Sequence, residues 1–135
     1  MNEECFYRVS VKGIAIDKQG RVLLAREEDD MWEMLGGGLE HQEDPIESLK
    51  REVLEETGLK ITNISTSPKY FITAPASNGK VYMANVVYEI ELESMDFIPS
   101  YECQELRFFS IEEMKKVKLL PNVKKLLNLL EKQQN

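Results

Sequence analysis

Between Asp44 and Gly58 the chain has almost no freedom to be anything but one well-bounded helix. Asp44 is a good N-cap, Pro45 suits the first helical position where no amide donor is needed, and Glu47 at the third position completes a capping-box pattern. Gly58 supplies the left-handed residue that closes the other end. Ile46, Leu49, Val53 and Leu54 recur at helical spacing, which predicts a core-facing stripe, and Ser48, Glu52, Glu55 and Glu56 fall on other faces. Whatever else the chain builds must cover that stripe.

The carboxylates on this helix carry the chemistry. Positions i, i+3 and i+4 stack above one another, so Glu52, Glu55 and Glu56 converge on one patch. Each like-charge pair at that spacing costs roughly 0.2–0.5 kcal/mol, and no basic residue sits within the face to relieve it. The relief must come from outside the helix. A divalent cation is the simplest source, because hard Mg2+ or Mn2+ ions take carboxylate oxygens and usually bring phosphate with them. Ahead of the helix, Gly36, Gly37 and Gly38 form a loop in which backbone can approach whatever the carboxylates hold.

Gly37, Glu43 and the run Arg51-Glu52-Val53-Leu54-Glu55-Glu56-Thr57-Gly58-Leu59 resemble the full signature of the Nudix hydrolases, G-x5-E-x7-R-E-U-x-E-E-x-G-U with U aliphatic. The stretches Arg21–Arg26, Trp32–Gly37 and Glu105–Met114 are also similar to that family, so the resemblance covers the whole chain as one domain, 1–135, with its signature at 37–59. Leu35 stands where the family usually has proline, and Gln42 where it often has glycine; neither change removes a ligand. The resemblance implies an α/β/α sandwich with a mixed β-sheet between helices, and a pyrophosphohydrolase dependent on Mg2+, with Mn2+ as a substitute. It also implies metal ligands at Glu52, Glu55, Glu56 and the carbonyl of Gly37. By the same resemblance Arg51 orients a carboxylate such as Glu43 or Glu52, and the general base is either Glu52 or the distal Glu102. Glu43 itself has either a site role or only a favourable place near the helix dipole. Arg26, with Gly36, Gly37 and Gly38, is the expected substrate contact, although Arg26 reads equally well as a solvated strand-end cation.

Composition closes off other classes. With 135 residues, 42% of them hydrophobic, the chain can enclose one core. The start, MNEECFYR, is acidic and leads into alternation, so it shows no signal-peptide pattern, and no apolar run reaches the length of a membrane span. A cytoplasmic location follows as the expectation. Cys5 and Cys103 lie far apart without a CxxC or histidine partner, and are expected as reduced thiols. Net charge is −7, and between Glu27 and Glu56 twelve acids face only Lys50 and Arg51. Such a face repels a polynucleotide and admits phosphate only with cations.

Periodicity places the remaining elements. Tyr7 to Ala15 alternates as a first strand with Arg8, Ser10 and Lys12 on its polar side, and Asp17–Gly20 turns it into a second over Val22–Arg26. Further strands are expected at Tyr70–Thr73, Val81–Glu93 and Leu106–Phe109, with Asn78-Gly79 as a hairpin signal. Ser110 and Glu113 form a second capping-box pattern, and Pro121 separates a short helix from a longer one. Tyr7, Trp32, Phe71 and Tyr82 are the aromatics able to stack on a base, though a strand aromatic more often joins a core. His41 reads as an exposed loop residue, and Pro75 as a residue beside a turn. The expected partner is a small nucleotide, most simply a nucleoside triphosphate or its oxidised form, cleaved to the monophosphate and pyrophosphate by a monomer or homodimer. Hydrolysis of ADP-ribose or a nucleotide sugar, a non-catalytic nucleotide-binding module, and an interaction domain with a merely wet acidic helix are the alternatives.

Overall fold

The structure is a computed structural model that describes residues 4–134. Its strands are β1 (Tyr7–Ile14), β2 (Val22–Arg26), β3 (Trp32–Glu33), β4 (Leu35–Gly38), β5 (Ile61–Ile64), β6 (Tyr70–Pro75), β7 (Tyr82–Leu92) and β8 (Glu105–Phe109). The helices are α1 (Pro45–Thr57), α2 (Ile111–Met114) and α3 (Pro121–Gln133). The expected architecture holds: helices flank mixed β-structure on both sides. A five-stranded sheet runs β4-β1-β7-β5 with β6 also paired to β7, and a second sheet runs β3-β2-β8. The turn between β1 and β2 is closed by an antiparallel bridge between Ile16 and Val22, but beyond it the two strands part into different sheets. Gly20 does turn the chain at φ 78°, but β2 leaves to join β8 while β1 lies parallel to β7.

Two cores sit on opposite faces of this β-structure. Leu49 and Val53 of α1 pack with Val11, Leu23, Leu35 and Ile90, whereas Val123 and Leu126 of α3 pack with Ile14, Leu24, Met34 and Val87. Strands covered on both faces lose the simple polar-out pattern. For that reason Ser10 and Lys12, read as the polar side of β1, are buried. Trp32 is buried too, 4.7 Å from Phe109 between ring centroids, and is core rather than a stacking platform. Phe71, Tyr7 and Tyr82 remain exposed. Cys5 and Cys103 are free thiols, and no described helix is long and apolar enough to cross a membrane.

The boundaries of α1 fall where the capping chemistry puts them. The Asp44 carboxylate accepts from the amides of Ile46 and Glu47, both at 3.1 Å, and Gly58 at φ 73° donates its amide to the carbonyl of Leu54. Glu47 pairs with Lys50 at 3.6 Å rather than serving as the reciprocal half of a capping box. The capping box at Ser110 and Glu113 is complete. The stripe needs one correction: Leu54 is 46% exposed, while Ser48, Glu56 and Thr57 turn inward beside Leu49 and Val53. Replacing Asp44 by Ala leaves two first-turn amides without their acceptor, and a loss of about 1 kcal/mol is expected. Urea unfolding reads that loss directly, and an unchanged midpoint would contradict it.

Candidate active site

The helix α1 and the strand β4 face each other across the acidic patch. Gly36 donates its amide to Oε1 of Glu56 at 2.9 Å, which draws this carboxylate inward until it is 4% exposed. One turn earlier, Glu52 stands over Gly37 so closely that a Cβ on that glycine would lie 2.6 Å from the carboxylate. Glu102, on the loop before β8, completes the group: one oxygen from each of Glu52, Glu56 and Glu102 lies within 4.8 Å of the others. Three hard oxygen donors at that separation, one of them buried, fit a divalent cation.

Arg51 arranges the rim. Its Nε and Nη2 donate to both oxygens of Glu43 at 2.8 and 3.2 Å, and its Nη1 donates to Glu52 and to Glu55, each at 3.2 Å. The Arg51 pair, with the Glu40 amide, holds the Glu43 carboxyl below the usual range. Glu55, expected among the metal ligands, is thus turned to Arg51 at the exposed rim and lies outside the group formed by Glu52, Glu56 and Glu102. The patch is also less naked than its sequence suggests, since Arg51 relieves Glu52 and Glu55, and Lys12 reaches toward Glu56 from β1.

Burial leaves clear electrostatic marks here. Desolvation pushes the Glu56 carboxyl up to about 8 despite the opposing Lys12 ammonium and the Gly36 amide, with Glu102 and Glu52 adding repulsion. Desolvation likewise pushes Glu27 up to about 7, with Glu33 next to it as a like charge. For Lys12 burial acts downward, but the carboxylates of Glu33, Glu56 and Glu27 outweigh it and raise the ammonium's pKa.

A cavity of about 250 Å³ opens beside Gly37 and Gly38 on the α3 side of the sheet. Its polar wall is made by Ser10, Lys12, Glu33, Asn85 and Asn122. Asn122 donates Nδ2 to Glu33 at 2.9 Å and to Asn85 Oδ1 at 3.3 Å, which leaves its buried Oδ1 without a partner among the described residues. Nothing in the sequence pattern announces this wall. Lys12 stood on the polar side of the first strand and Asn122 in no pattern at all, and only the burial of β1 and β7 on both faces marks them. Pro75 also borders the cavity, whereas Arg26 does not: it is held by Asp30, Gln104 and Glu105 at 3.1, 3.1 and 3.2 Å. Glu105 opens β8, one residue ahead of the expected strand start, and His41 is exposed.

The close seat of Glu52 on Gly37 makes a sharp prediction. In Gly37→Ala the new methyl pushes only the mobile end of a glutamate, so stability changes little, but Glu52 leaves the group and Mn2+ affinity falls at least tenfold. Calorimetric titration with Mn2+ and a thermal melt of the metal-free protein separate the two effects.

The chain is similar to several known proteins. A MutT-like protein of Streptomyces ambofaciens is 43% identical over 56 residues, 41% of this chain and 36% of that protein. An NAD-capped RNA hydrolase of Vibrio cholerae is 32% identical over 106 residues, 75% of this chain and 37% of that protein. The matches span about a third of the length of these curated relatives. The solved MutT protein from Methanosarcina mazei superposes with a TM-score of 0.79 at 22% identity, covering 99% of both chains, and shares the fold. With the NUDIX domain profile matching residues 6–130, the chain belongs to the NUDIX domain family of hydrolases, which generally use divalent metals.

Proposed function

We propose that the protein is a Mg2+-dependent pyrophosphohydrolase of nucleoside diphosphate derivatives, most simply of nucleoside triphosphates or their oxidised forms. The observation that carries this reading is the convergence of Glu52, Glu56 and Glu102 within 4.8 Å of one another, next to a polar cavity bordered by Gly37. Glu52, Glu56 and Glu102, with the carbonyl of Gly37, are the groups that would hold the cation. A divalent ion there neutralises phosphoryl oxygens and lowers the pKa of bound water. Glu55 serves that charge only by leaving Arg51, and otherwise acts with Glu43 in fixing the guanidinium that orients Glu52.

Water attacks phosphorus, the bridging P–O bond breaks, and the water's proton goes to a carboxylate. Glu52 already accepts from Arg51, whereas the Glu102 side chain has no hydrogen-bond or ion-pair partner among the described residues. That favours Glu102 as the acceptor. The cavity takes the base. Asn122 Oδ1 is an acceptor without a partner among the described residues, whereas Glu33 is already engaged by Asn122, the Met34 amide and Lys12, so an amino edge that reaches Asn122 fits better than its oxo counterpart. The expected result is a CTP rate at least tenfold above UTP by kcat/KM, and Asn122→Leu lowering CTP toward UTP.

A second reading has its own support. The partial identity with an NAD-capped RNA hydrolase suggests a larger dinucleotide or capped-end substrate. A panel of nucleoside triphosphates, ADP-ribose, nucleotide sugars, NAD and 5′-triphosphorylated RNA, with Mg2+ or Mn2+, decides between them. Tight binding without turnover of any of these would leave only a nucleotide-binding module.

A further inference from the structure

Lys12 has no place in the chemistry described above, yet it is only 7% exposed and stands between the cavity and the acidic group. Its ammonium donates to the carbonyl of Gly36 at 3.2 Å and lies 3.5 Å from Oε2 of Glu33. Gly36 in turn holds Glu56 through its amide. This glycine cannot drift to another conformation with a substituent, since it sits at φ 120° and a Cβ would be 2.1 Å from the carbonyl oxygen of Val11. The Gly36 carbonyl held by Lys12 belongs to the peptide that leads directly into Gly37, whose own oxygen accepts from Ser10 at 3.3 Å. A buried cation so placed pins the backbone that presents one oxygen for a cation, the Gly37 carbonyl, and that holds the carboxylate of Glu56 through the Gly36 amide.

We infer that Lys12 is a positioning residue: by fixing the Gly36–Gly37 backbone it sets where Glu56 and the Gly37 carbonyl offer their oxygens. The inference rests on the metal-dependent reading given under Proposed function. Its bland rival is that Lys12 merely neutralises Glu33. The two differ in sign. A positive charge near a cation site repels the cation, so on Coulomb grounds alone losing Lys12 tightens Mn2+. Losing a positioning contact weakens it, by about 10–100-fold for groups that orient metal ligands.

The test uses the whole chain as Lys12→Met and as the double variant Lys12→Met/Glu33→Gln. In the double variant the site loses one charge of each sign, so no unpaired carboxylate is left to unfold it and net electrostatics are nearly unchanged. Mn2+ binding is read without nucleotide, by the paramagnetic resonance signal of free Mn2+, beside the metal-free melting temperature and the separate kcat and KM for CTP. The expected result is Mn2+ affinity at least about tenfold weaker in the double variant, with a folded protein and a loss mainly in kcat. Mn2+ affinity equal to or tighter than wild type in that variant overturns the positioning role while leaving the hydrolase reading intact. Wild-type protein that neither binds Mn2+ nor turns over any nucleotide overturns both.

Discussion

Glu56→Gln and Glu52→Gln each keep the fold and lower turnover on the order of 10³-fold, the size of effect expected when several kcal/mol of charge stabilisation at phosphorus is lost. The fold survives for a local reason. Glutamine is the same shape as glutamate, and its Oε1 still accepts the Gly36 amide that fixes residue 56. At Glu52 the side chain loses its charged contact with Arg51, but that arginine retains both oxygens of Glu43. Metal-free Glu56→Gln is expected to melt no lower than wild type at pH 8, because a buried charge is removed. Circular dichroism melts and steady-state kinetics on one preparation check both halves, and a wild-type rate in either variant contradicts the assignment.

Metal-free protein is expected to become less stable as pH rises from about 5 to 8, with Mg2+ reversing the trend. The sign follows from burial. Glu56 is pushed up to about 8 and Glu27 up to about 7, so between the ordinary carboxyl range and those values the folded state binds protons that the unfolded chain has released. Stability from each group is therefore complete below its unfolded pKa and is lost as pH climbs through the folded value. The slope approaches about 1.4 kcal/mol per pH unit for each proton held in excess. A divalent cation takes the ionised form, so its binding strengthens over the same interval and releases protons. Melting temperatures at pH 5, 6.5 and 8, with and without Mg2+, measure this. A metal-free stability that rises toward pH 8 would contradict the buried, protonated Glu56.

Helix α1 was legible almost to the residue, because Asp44, Pro45 and Gly58 act locally and need no partner from elsewhere in the chain. Arg51 is paired with Glu43, and Glu102 arrives beside Glu52 and Glu56, the placements on which the proposed roles of these residues rest. Less was visible where tertiary packing decides. Leu54 and Ser48 exchanged sides because Ser48, Val53 and Glu56 turn toward β4, and a pattern of apolar residues cannot register a buried glutamate. The glycine run became strand β4 since Ser10 to Gly13 pair with it across the sheet edge. Strand β5, only Ile61–Ile64, carries too short an alternation to stand out. Gln42 adopts φ 67°, the left-handed region that favours glycine, the residue the family resemblance leads one to expect there. The cavity wall was hidden most completely, for Lys12, Glu33, Asn85 and Asn122 come from four separate elements.

Anomalous diffraction at the manganese edge, from crystals grown with Mn2+ and a non-cleavable nucleotide, decides whether the acidic group is a catalytic metal site. A peak coordinated by Glu52, Glu56 and Glu102, with the diphosphate bridging toward it and the base seated against Asn122, is the expected map. Bound nucleotide with those three carboxylates touching no ion would contradict it.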